Sequence, residues 1–202
     1  MSHLLEEPVK IFLQKRIICL IGFMGSGKSY LGNLLVKELN IQIIDTDKLI
    51  EMQENKPIFE IFKEKGERYF RQKEKQVLQD LVYTNEDALI GKIIVTGGGL
   101  PLKRANQKLL KLLNPFYICL NPPFEVILTR IKGSKRPLIY RKSRKTIFNL
   151  WIERYEIYQR LADITISETD TEEMFKTLNQ RVGMLIINWE RRHLACNPLE
   201  NH

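Results

Sequence analysis

The sequence predicts an α/β fold in which a five-stranded parallel sheet is flanked by helices. Two observations predict it: short β-branched runs alternate with longer stretches of helical periodicity, and these runs are continuously apolar. Continuous apolar character is typical of parallel strands that helices cover on both faces. The 202 residues can bury a sizeable core unaided, and no linker or repeat divides them. We therefore expect one domain over 1–202, with its core at about 15–190.

Five runs are the predicted strands, and they span residues 17–21, 41–44, 93–96, 116–120 and 164–166. One predicted helix follows Ser29, and another runs from about 57 to 83 with a break near Gly66. The last predicted helix covers 172 to about 192. Its apolar face would contain Met174, Leu178, Val182, Leu185, Ile186 and Trp189.

Positive charge is concentrated in one segment. The chain has 32 Lys and Arg against 24 Asp and Glu, a formal charge of +8. Eight basic residues and no acidic ones lie in 130–145, which leaves 24 basic against 24 acidic residues elsewhere. Such a segment is typical of a surface that meets a polyanion, either a nucleotide or a nucleic acid.

Cysteine usage and apolar run lengths indicate a reducing compartment. Cys19, Cys119 and Cys196 lack the paired spacing of zinc or redox sites, and the first two lie in apolar runs where cysteine behaves as a core residue. No leader pattern opens the sequence, and the longest apolar stretch is far below the ~20 residues of a membrane helix. We expect a cytoplasmic protein that does not bind membranes.

A phosphate-binding motif joins the first predicted strand to the first predicted helix. Residues 22–29, GFMGSGKS, match G-x-x-x-x-G-K-[ST] in full. The glycines let successive backbone N–H groups face one phosphate, and the helix N-terminus adds positive charge. Lys28 would reach the β- and γ-phosphates, and Ser29 would ligate Mg²⁺. The motif predicts binding of a nucleoside triphosphate.

Two aspartates follow the second predicted strand. Alternation along an extended segment would put Asp45 and Asp47 on one side, about 6.5 Å apart, at the carboxyl edge of the sheet. Asp45 would then hold the Mg²⁺ shell through water, and Asp47 would accept a hydrogen bond from a substrate hydroxyl. The alternative is that both are turn or N-cap residues of a helix over 48–54.

Three consecutive glycines, Gly97, Gly98 and Gly99, follow the third predicted strand. Such a run is typical of a backbone that a ligand approaches closely, or of an unusual turn. We favour contact with a ligand.

These motifs together resemble the shikimate kinase family. The resemblance covers about 17–166, roughly three quarters of the chain. It rests on Gly25-Ser26-Gly27-Lys28-Ser29, Asp45-Thr46-Asp47 with Ile50-Glu51, Ile61-Phe62, Gly66-Glu67, Phe70-Arg71 with Glu74, Gly97-Gly98-Gly99 and Arg136-Pro137-Leu138. It implies a P-loop NTPase-like fold of the nucleoside monophosphate kinase type with a mobile lid. The implied reaction is transfer of the γ-phosphate of ATP to the 3-hydroxyl of shikimate, in aromatic amino-acid (chorismate) biosynthesis.

The resemblance also implies a role for each site residue. The implied ATP-binding residues are Gly25, Ser26, Gly27, Lys28, Ser29, Tyr30, Arg130 and Arg136. The implied substrate-binding residues are Asp47, Phe62, Phe70, Arg71, Gly97, Gly98, Gly99 and Arg154. Catalysis would use Lys28, Asp47 and Arg136, and Mg²⁺ would be held by Ser29 and, through water, Asp45.

Alternatives to these implied roles stay open. If the family resemblance is set aside, the sequence favours a structural role for Arg71 and Arg154. They would then be surface arginines or ion-pair partners of Glu67, Glu74, Glu153 or Glu156. The basic segment coincides with the family's lid, at about 130–145, but it could also be a solvated loop without a catalytic part. Tyr30 stands where the family usually has a small hydroxyl residue, and 167–171 lacks an arginine often found near the adenine.

Two rival functions also stay open. One is another small-substrate P-loop kinase, acting on gluconate or a nucleoside monophosphate. The other is a nucleic-acid-associated ATPase that uses the basic segment as its binding surface. We expect ATP and shikimate as partners, no nucleic acid, and a monomer.

Overall fold

A computed structural model describes residues 4–83, 88–134, 136–140 and 142–195, with side chains up to residue 188. Cys196, the side chain of Trp189, and two residues of the expected lid, Lys135 and Arg141, lie outside this part of the chain. No helix within the described ranges is long and apolar enough to cross a lipid bilayer.

Five parallel strands form one sheet, in the order β2-β3-β1-β4-β5. Their bounds are β1 Ile18–Gly22, β2 Gln42–Asp45, β3 Lys92–Val95, β4 Phe116–Leu120 and β5 Ile164–Ile166. The predicted strands are confirmed, with shifts of one residue at β1, β2 and β3.

Eight helices surround this sheet in the described ranges. They are α1 Glu7–Gln14, α2 Lys28–Leu39, α3 Thr46–Glu54, α4 Ile58–Tyr83, α5 Arg104–Leu112, α6 Phe124–Ile131, α7 Arg144–Leu161 and α8 Thr171–Ala195. The predicted break in α4 is confirmed: Gly66 has φ 76° and ψ 173°, which lies outside the helical region.

The sheet separates two apolar cores. Successive residues of a strand point to opposite faces, so Ile18 and Leu20 pack in one core while Cys19 and Ile21 pack in the other. Cys19 and Cys119 are free and buried, which confirms their interpretation as core residues.

The last helix agrees only partly with its prediction. Met174, Leu178 and Val182 are buried and Ile186 packs against them, but Leu185 is 38% exposed. At 1.5 Å per residue the 25-residue α8 is about 37 Å long, whereas its neighbour β5 has three residues. The helix therefore extends past the sheet, so Leu185 is exposed although it lies on the predicted apolar face with Met174, Leu178 and Val182.

Candidate active site

Two adjoining cavities open at the carboxyl ends of β1, β2 and β3. The first has a volume of about 500 Å³ and the second about 460 Å³. They share part of their lining, namely Met24, Ser29, Asp45, Asp47, Gly98 and Arg136. Crevices at the carboxyl ends of parallel strands are the usual ligand sites of such sheets.

The glycine-rich loop between β1 and α2 borders the first cavity. Gly25 (φ 79°) and Gly27 (φ 103°) adopt left-handed backbone conformations, which only glycine enters without strain. The Lys28 ammonium donates to the carbonyls of Gly22 (2.9 Å) and Phe23 (3.0 Å). Burial lowers the pKa of Lys28 to about 8, although the Asp47 carboxylate opposes that shift.

The aspartate pair has a different geometry from the one that alternation predicted. The helix α3 begins at Thr46, so Asp47 lies in its first turn and not in an extended segment. Asp45 is the N-cap, and its Oδ1 accepts from the backbone N–H of Asp47 (3.0 Å) and Lys48 (3.3 Å). The N-cap alternative is therefore correct for Asp45, because capping ends the strand at that residue.

Capping leaves the other Asp45 oxygen available. The Ser29 hydroxyl donates to Asp45 Oδ2 at 3.5 Å, so a hydroxyl and a carboxylate oxygen converge beside Lys28. Both residues line the two cavities. These are oxygen donors of the type that Mg²⁺ prefers, together with water and substrate phosphate.

The Asp47 carboxyl has a pKa above its ordinary value. Burial, with repulsion from Asp45, raises the pKa of Asp47 to about 6, against the attraction of Lys28 and Arg136. Its Oδ1 is buried and accepts no hydrogen bond from the described residues. A carboxylate of this kind is suited to accept a proton from a bound hydroxyl near neutral pH.

The triple glycine makes room for two site side chains. A Cβ at Gly97 would lie 2.2 Å from Asp47 Oδ1, and a Cβ at Gly99 would lie 2.0 Å from Arg71 Nη1. The Gly97 N–H donates to the Thr46 hydroxyl at 3.0 Å, which joins the end of β3 to the start of α3. Gly97 and Gly99 are thus explained by packing of Asp47 and Arg71, and Gly98 lines both cavities.

Arg71 lies on α4 and is ion-paired on both sides. It donates to Glu74 at 2.7 Å and to Glu67 at 2.9 Å. The alternative that Arg71 pairs with these glutamates is therefore correct, and the arginine also lines the second cavity, where binding of a substrate by it stays a prediction. Burial raises the pKa of Glu74 to about 7, although Arg71 acts in the opposite direction.

Arg154 on α7 enters the second cavity with unused donors. The residue is 6% exposed, and its Nε and Nη1 atoms have no hydrogen-bond partner among the described residues. Phe62 and Phe70 line the same cavity with ring centroids 4.7 Å apart. The second cavity therefore combines an apolar wall with two guanidinium groups.

The basic residues of the expected lid divide between the cavities and the surface. Arg136 lines both cavities, and its charge acts on Lys28 and Asp47. Arg130 lines the first cavity and donates to the carbonyl of Ser26 at 3.2 Å. Lys142 is exposed, and Arg144 pairs with Glu125 at the surface.

Tyr30 also lines the first cavity. Its ring is 52% exposed, and its hydroxyl shares a 2.8 Å hydrogen bond with the Thr171 hydroxyl at the start of α8. Thr169, two residues before Thr171 in sequence, lines the same cavity. The segment 167–171, which lacks the arginine expected near the adenine, is therefore joined to the P-loop helix through Tyr30.

The structure brings together nearly all of the predicted site residues. Every predicted substrate-binding residue lines the second cavity, and two of them, Asp47 and Gly98, line the first as well. Every predicted ATP-binding residue lines the first cavity except Ser26, which is buried behind it. Glu74 had been named only as an alternative partner of Arg71, in agreement with its i+3 spacing, and Tyr158 on α7 had no assigned role.

The chain is similar to proteins of one family. A family model described as shikimate kinase matches residues 24–183. The shikimate kinase of Persephonella marina is 39% identical over 171 residues, which is 84% of this chain and 99% of that protein. The structure of a shikimate kinase from Acinetobacter baumannii in complex with shikimate has a TM-score of 0.73 and 29% identity, covering 90% of this chain and 98% of that one.

A more distant likeness concerns the fold alone. A gluconokinase from Sinorhizobium meliloti 1021 has a TM-score of 0.52 and 16% identity, covering 88% of this chain and 97% of that one. The identity is too low to transfer an activity, so the likeness indicates only a shared nucleoside monophosphate kinase-like arrangement of strands and helices.

Proposed function

The chain belongs to the shikimate kinase family, and from this premise we propose that it transfers the γ-phosphate of ATP to the 3-hydroxyl of shikimate. The observation that carries the proposal is the shared lining of the two cavities. Asp47, Ser29 and Arg136 border both, so a phosphate in the first cavity and a hydroxyl in the second would meet there. The reaction is a step of chorismate biosynthesis.

The P-loop residues would hold the triphosphate. Backbone N–H groups of Gly25, Ser26 and Gly27 and the N-terminus of α2 would bind phosphate oxygens. The Lys28 ammonium would exchange its carbonyl partners for the β- and γ-phosphates. Tyr30 and Arg130 would contact the nucleoside end, since both line the first cavity.

The Ser29 and Asp45 oxygens fit a bound Mg²⁺ by their chemistry and their 3.5 Å separation. Ser29 would be a direct ligand, and Asp45 would hold the shell through water. When bound, the ion would neutralise charge on the β- and γ-phosphates.

The second cavity would hold the acid substrate. Arg71 and Arg154 would bind the carboxylate with forked guanidinium groups, and the Gly98 backbone would add an N–H donor. Phe62 and Phe70 would face the apolar side of the ring. This set suits a small cyclic acid with several hydroxyls.

Phosphoryl transfer would then depend on positioning and charge. Asp47 would orient the 3-hydroxyl and accept its proton as a bond forms between that oxygen and the γ-phosphorus. The bond between the γ-phosphorus and the bridging oxygen breaks, and ADP leaves. Lys28 and Arg136 would stabilise the charge on the transferring group. The segment 130–145 would act as a lid that excludes water.

Further expectations concern partners and location. We propose that the enzyme acts as a monomer on ATP and shikimate without nucleic acid, the basic residues near the cavities serving the triphosphate. We also propose a cytoplasmic location, which the free, buried Cys19 and Cys119 support because such thiols are usual in reducing compartments.

A coupled assay of ADP release tests the proposal across three acceptor classes. The purified chain with Mg·ATP should turn over shikimate and neither gluconate nor nucleoside monophosphates. Turnover of gluconate or a nucleotide without shikimate would overturn it. Steeply salt-dependent oligonucleotide binding that shikimate does not affect would favour the nucleic-acid-associated ATPase instead.

A further inference from the structure

Tyr158 joins two parts of the second cavity without lining it. It lies on α7 one helical turn after Arg154, and its side chain is 2% exposed. Its hydroxyl donates to the carbonyl of Gly98 at 2.5 Å, across 60 positions in sequence. The tyrosine therefore ties the helix that carries Arg154 to the middle of the triple glycine.

Arg154 lies four residues before Tyr158 on α7, which puts the two side chains on one helix face, and each group shifts the pKa of the other. A tyrosine hydroxyl has one proton, and here that proton is donated to Gly98. It can therefore only accept a hydrogen bond from Arg154. The Nε and Nη1 atoms of Arg154 are buried and have no hydrogen-bond partner among the described residues.

This geometry has two consequences for the cavity. Arg154 is held from one side, so its free donors keep a defined orientation before a ligand arrives. The Gly98 carbonyl is held as well, which fixes the plane of the following peptide group. A donor set that is ordered in advance binds an anion more tightly, because less conformational freedom is lost on binding.

We infer that Tyr158 is a positioning residue for the substrate carboxylate, which it serves by holding Arg154 in register with the Gly98 backbone. The inference rests on the proposed function. Tyr158 contacts no reacting atom, so its effect should appear in the affinity for the carboxylate and not in the phosphoryl-transfer step.

The alternative is that Tyr158 has only a packing role. Tyr117 is a matched control for that alternative. Tyr117 is also buried, at the amino end of β4, and its hydroxyl has no hydrogen-bond partner among the described residues. It borders neither cavity. Removing its hydroxyl therefore reports the effect of losing a buried phenol oxygen away from the site.

The test compares Tyr158→Phe with Tyr117→Phe at a temperature at which circular dichroism shows both folded. Tyr158→Phe should raise the KM for shikimate about tenfold, because Arg154 would no longer be ordered before the carboxylate binds. Its kcat and its KM for ATP should stay within about twofold of wild type. Tyr117→Phe should change none of the three constants by more than that.

Two further experiments separate loss of Arg154 positioning from a general loss of structural integrity. With the neutral carboxamide of shikimate as acceptor, wild type and Tyr158→Phe should have equal KM values, because the carboxylate that Arg154 would bind is gone. In an Arg154→Lys background, Tyr158→Phe should add less than about twofold to the shikimate KM, because the two residues act together.

An unchanged shikimate KM in Tyr158→Phe would overturn the inference, and so would equal losses with the acid and the carboxamide. A fall in kcat alone would also overturn it. Failure of the proposed function would look different, since the wild-type enzyme itself would then have no shikimate rate.

Discussion

Arg71 donates to Glu74 at 2.7 Å, whereas Arg154, in the same cavity, has two buried nitrogen atoms without hydrogen-bond partners among the described residues. The two arginines therefore differ in what a ligand carboxylate would find. Arg71 is held by carboxylates of its own helix, while Arg154 offers free donors. An incoming acid would bind Arg154 without displacing a partner and would compete with Glu67 and Glu74 for Arg71.

Arg71→Ala should raise the shikimate KM by about 100-fold and leave ATP binding nearly intact. The reason is that Arg71 lines the second cavity and not the first, and a charged hydrogen-bond pair would be lost. Steady-state kinetics with each substrate varied in turn measures both effects. Arg68→Ala removes an exposed arginine from the same helix and should change neither constant. An equal rise of the shikimate KM in the two variants would mean that the effect comes from the protein's net charge and not from Arg71 itself.

The triple glycine should respond differently at each position. In Gly97→Ala the new methyl group would meet the Asp47 carboxylate and lower kcat, while in Gly99→Ala it would displace Arg71 and raise the shikimate KM. Both obstacles are ends of side chains, so we expect folded proteins. Gly183→Ala on α8 meets nothing within 4 Å and should keep wild-type kinetics. An unchanged kcat in Gly97→Ala would contradict the packing explanation.

Activity should fall as the pH drops through about 6. Asp47 must be ionised to accept a proton, and burial with repulsion from Asp45 raises its pKa to about 6, so protonation below that pH removes the acceptor. The measurement is the pH dependence of kcat/KM for ATP, taken at ATP concentrations far below the KM for ATP. This quantity reports the pKa values of groups in the enzyme before ATP binds. Asp47→Asn should lower the rate at least about 100-fold.

The neighbouring Glu74 supplies the control for that profile. Burial raises its pKa to about 7, so it is a second carboxyl that titrates in the same range. In Glu74→Gln the acidic limb should remain near pH 6, because Asp47 is still present. Disappearance of the limb in this variant would mean that Glu74 and not Asp47 controls the profile.

The sequence was sufficient for the sheet and for the P-loop because both depend on local patterns, whereas a site position for Arg71 and Arg154 was implied only by the family resemblance. Runs of β-branched residues indicate strands. The P-loop spacing indicates a glycine-rich turn between a strand and a helix. Alternation failed at Asp47 because the Asp45 side chain caps α3, so the helix begins at Thr46 and Asp47 does not lie in an extended segment. The helix α1 had gone unassigned, although Leu5, Val9 and Leu13 recur every four residues.

Other features could not be read from the chain because they are long-range contacts. The hydroxyl of Tyr158 and the carbonyl of Gly98 are 60 residues apart. The space that Gly97 and Gly99 leave is filled by Asp47 and Arg71 from two other elements. A glycine run in sequence indicates that something comes close, but only the fold shows which side chain it is.

Tyr30→Ser should raise the KM for ATP about tenfold while kcat stays within about twofold. The Tyr30 ring is half exposed in the first cavity, and stacking of a base on an aromatic ring contributes about 1–3 kcal/mol. Thr171→Val removes only the 2.8 Å hydrogen bond to Tyr30 and should have a smaller effect. An unchanged KM for ATP in Tyr30→Ser would show that the ring does not contact the nucleoside.

Leu13→Ala should destabilise the protein without affecting catalysis. Leu13 is fully buried on α1, in the core formed with α2 and α8, and borders neither cavity. Truncating a buried leucine lowers the free energy of unfolding by about 2–5 kcal/mol, measured by urea denaturation. Ile11→Ala, on the same helix but 44% exposed, should cost less than about 1 kcal/mol. Equal, small costs in the two variants would mean that α1 contributes little to the core, although it precedes the residues that the family model matches.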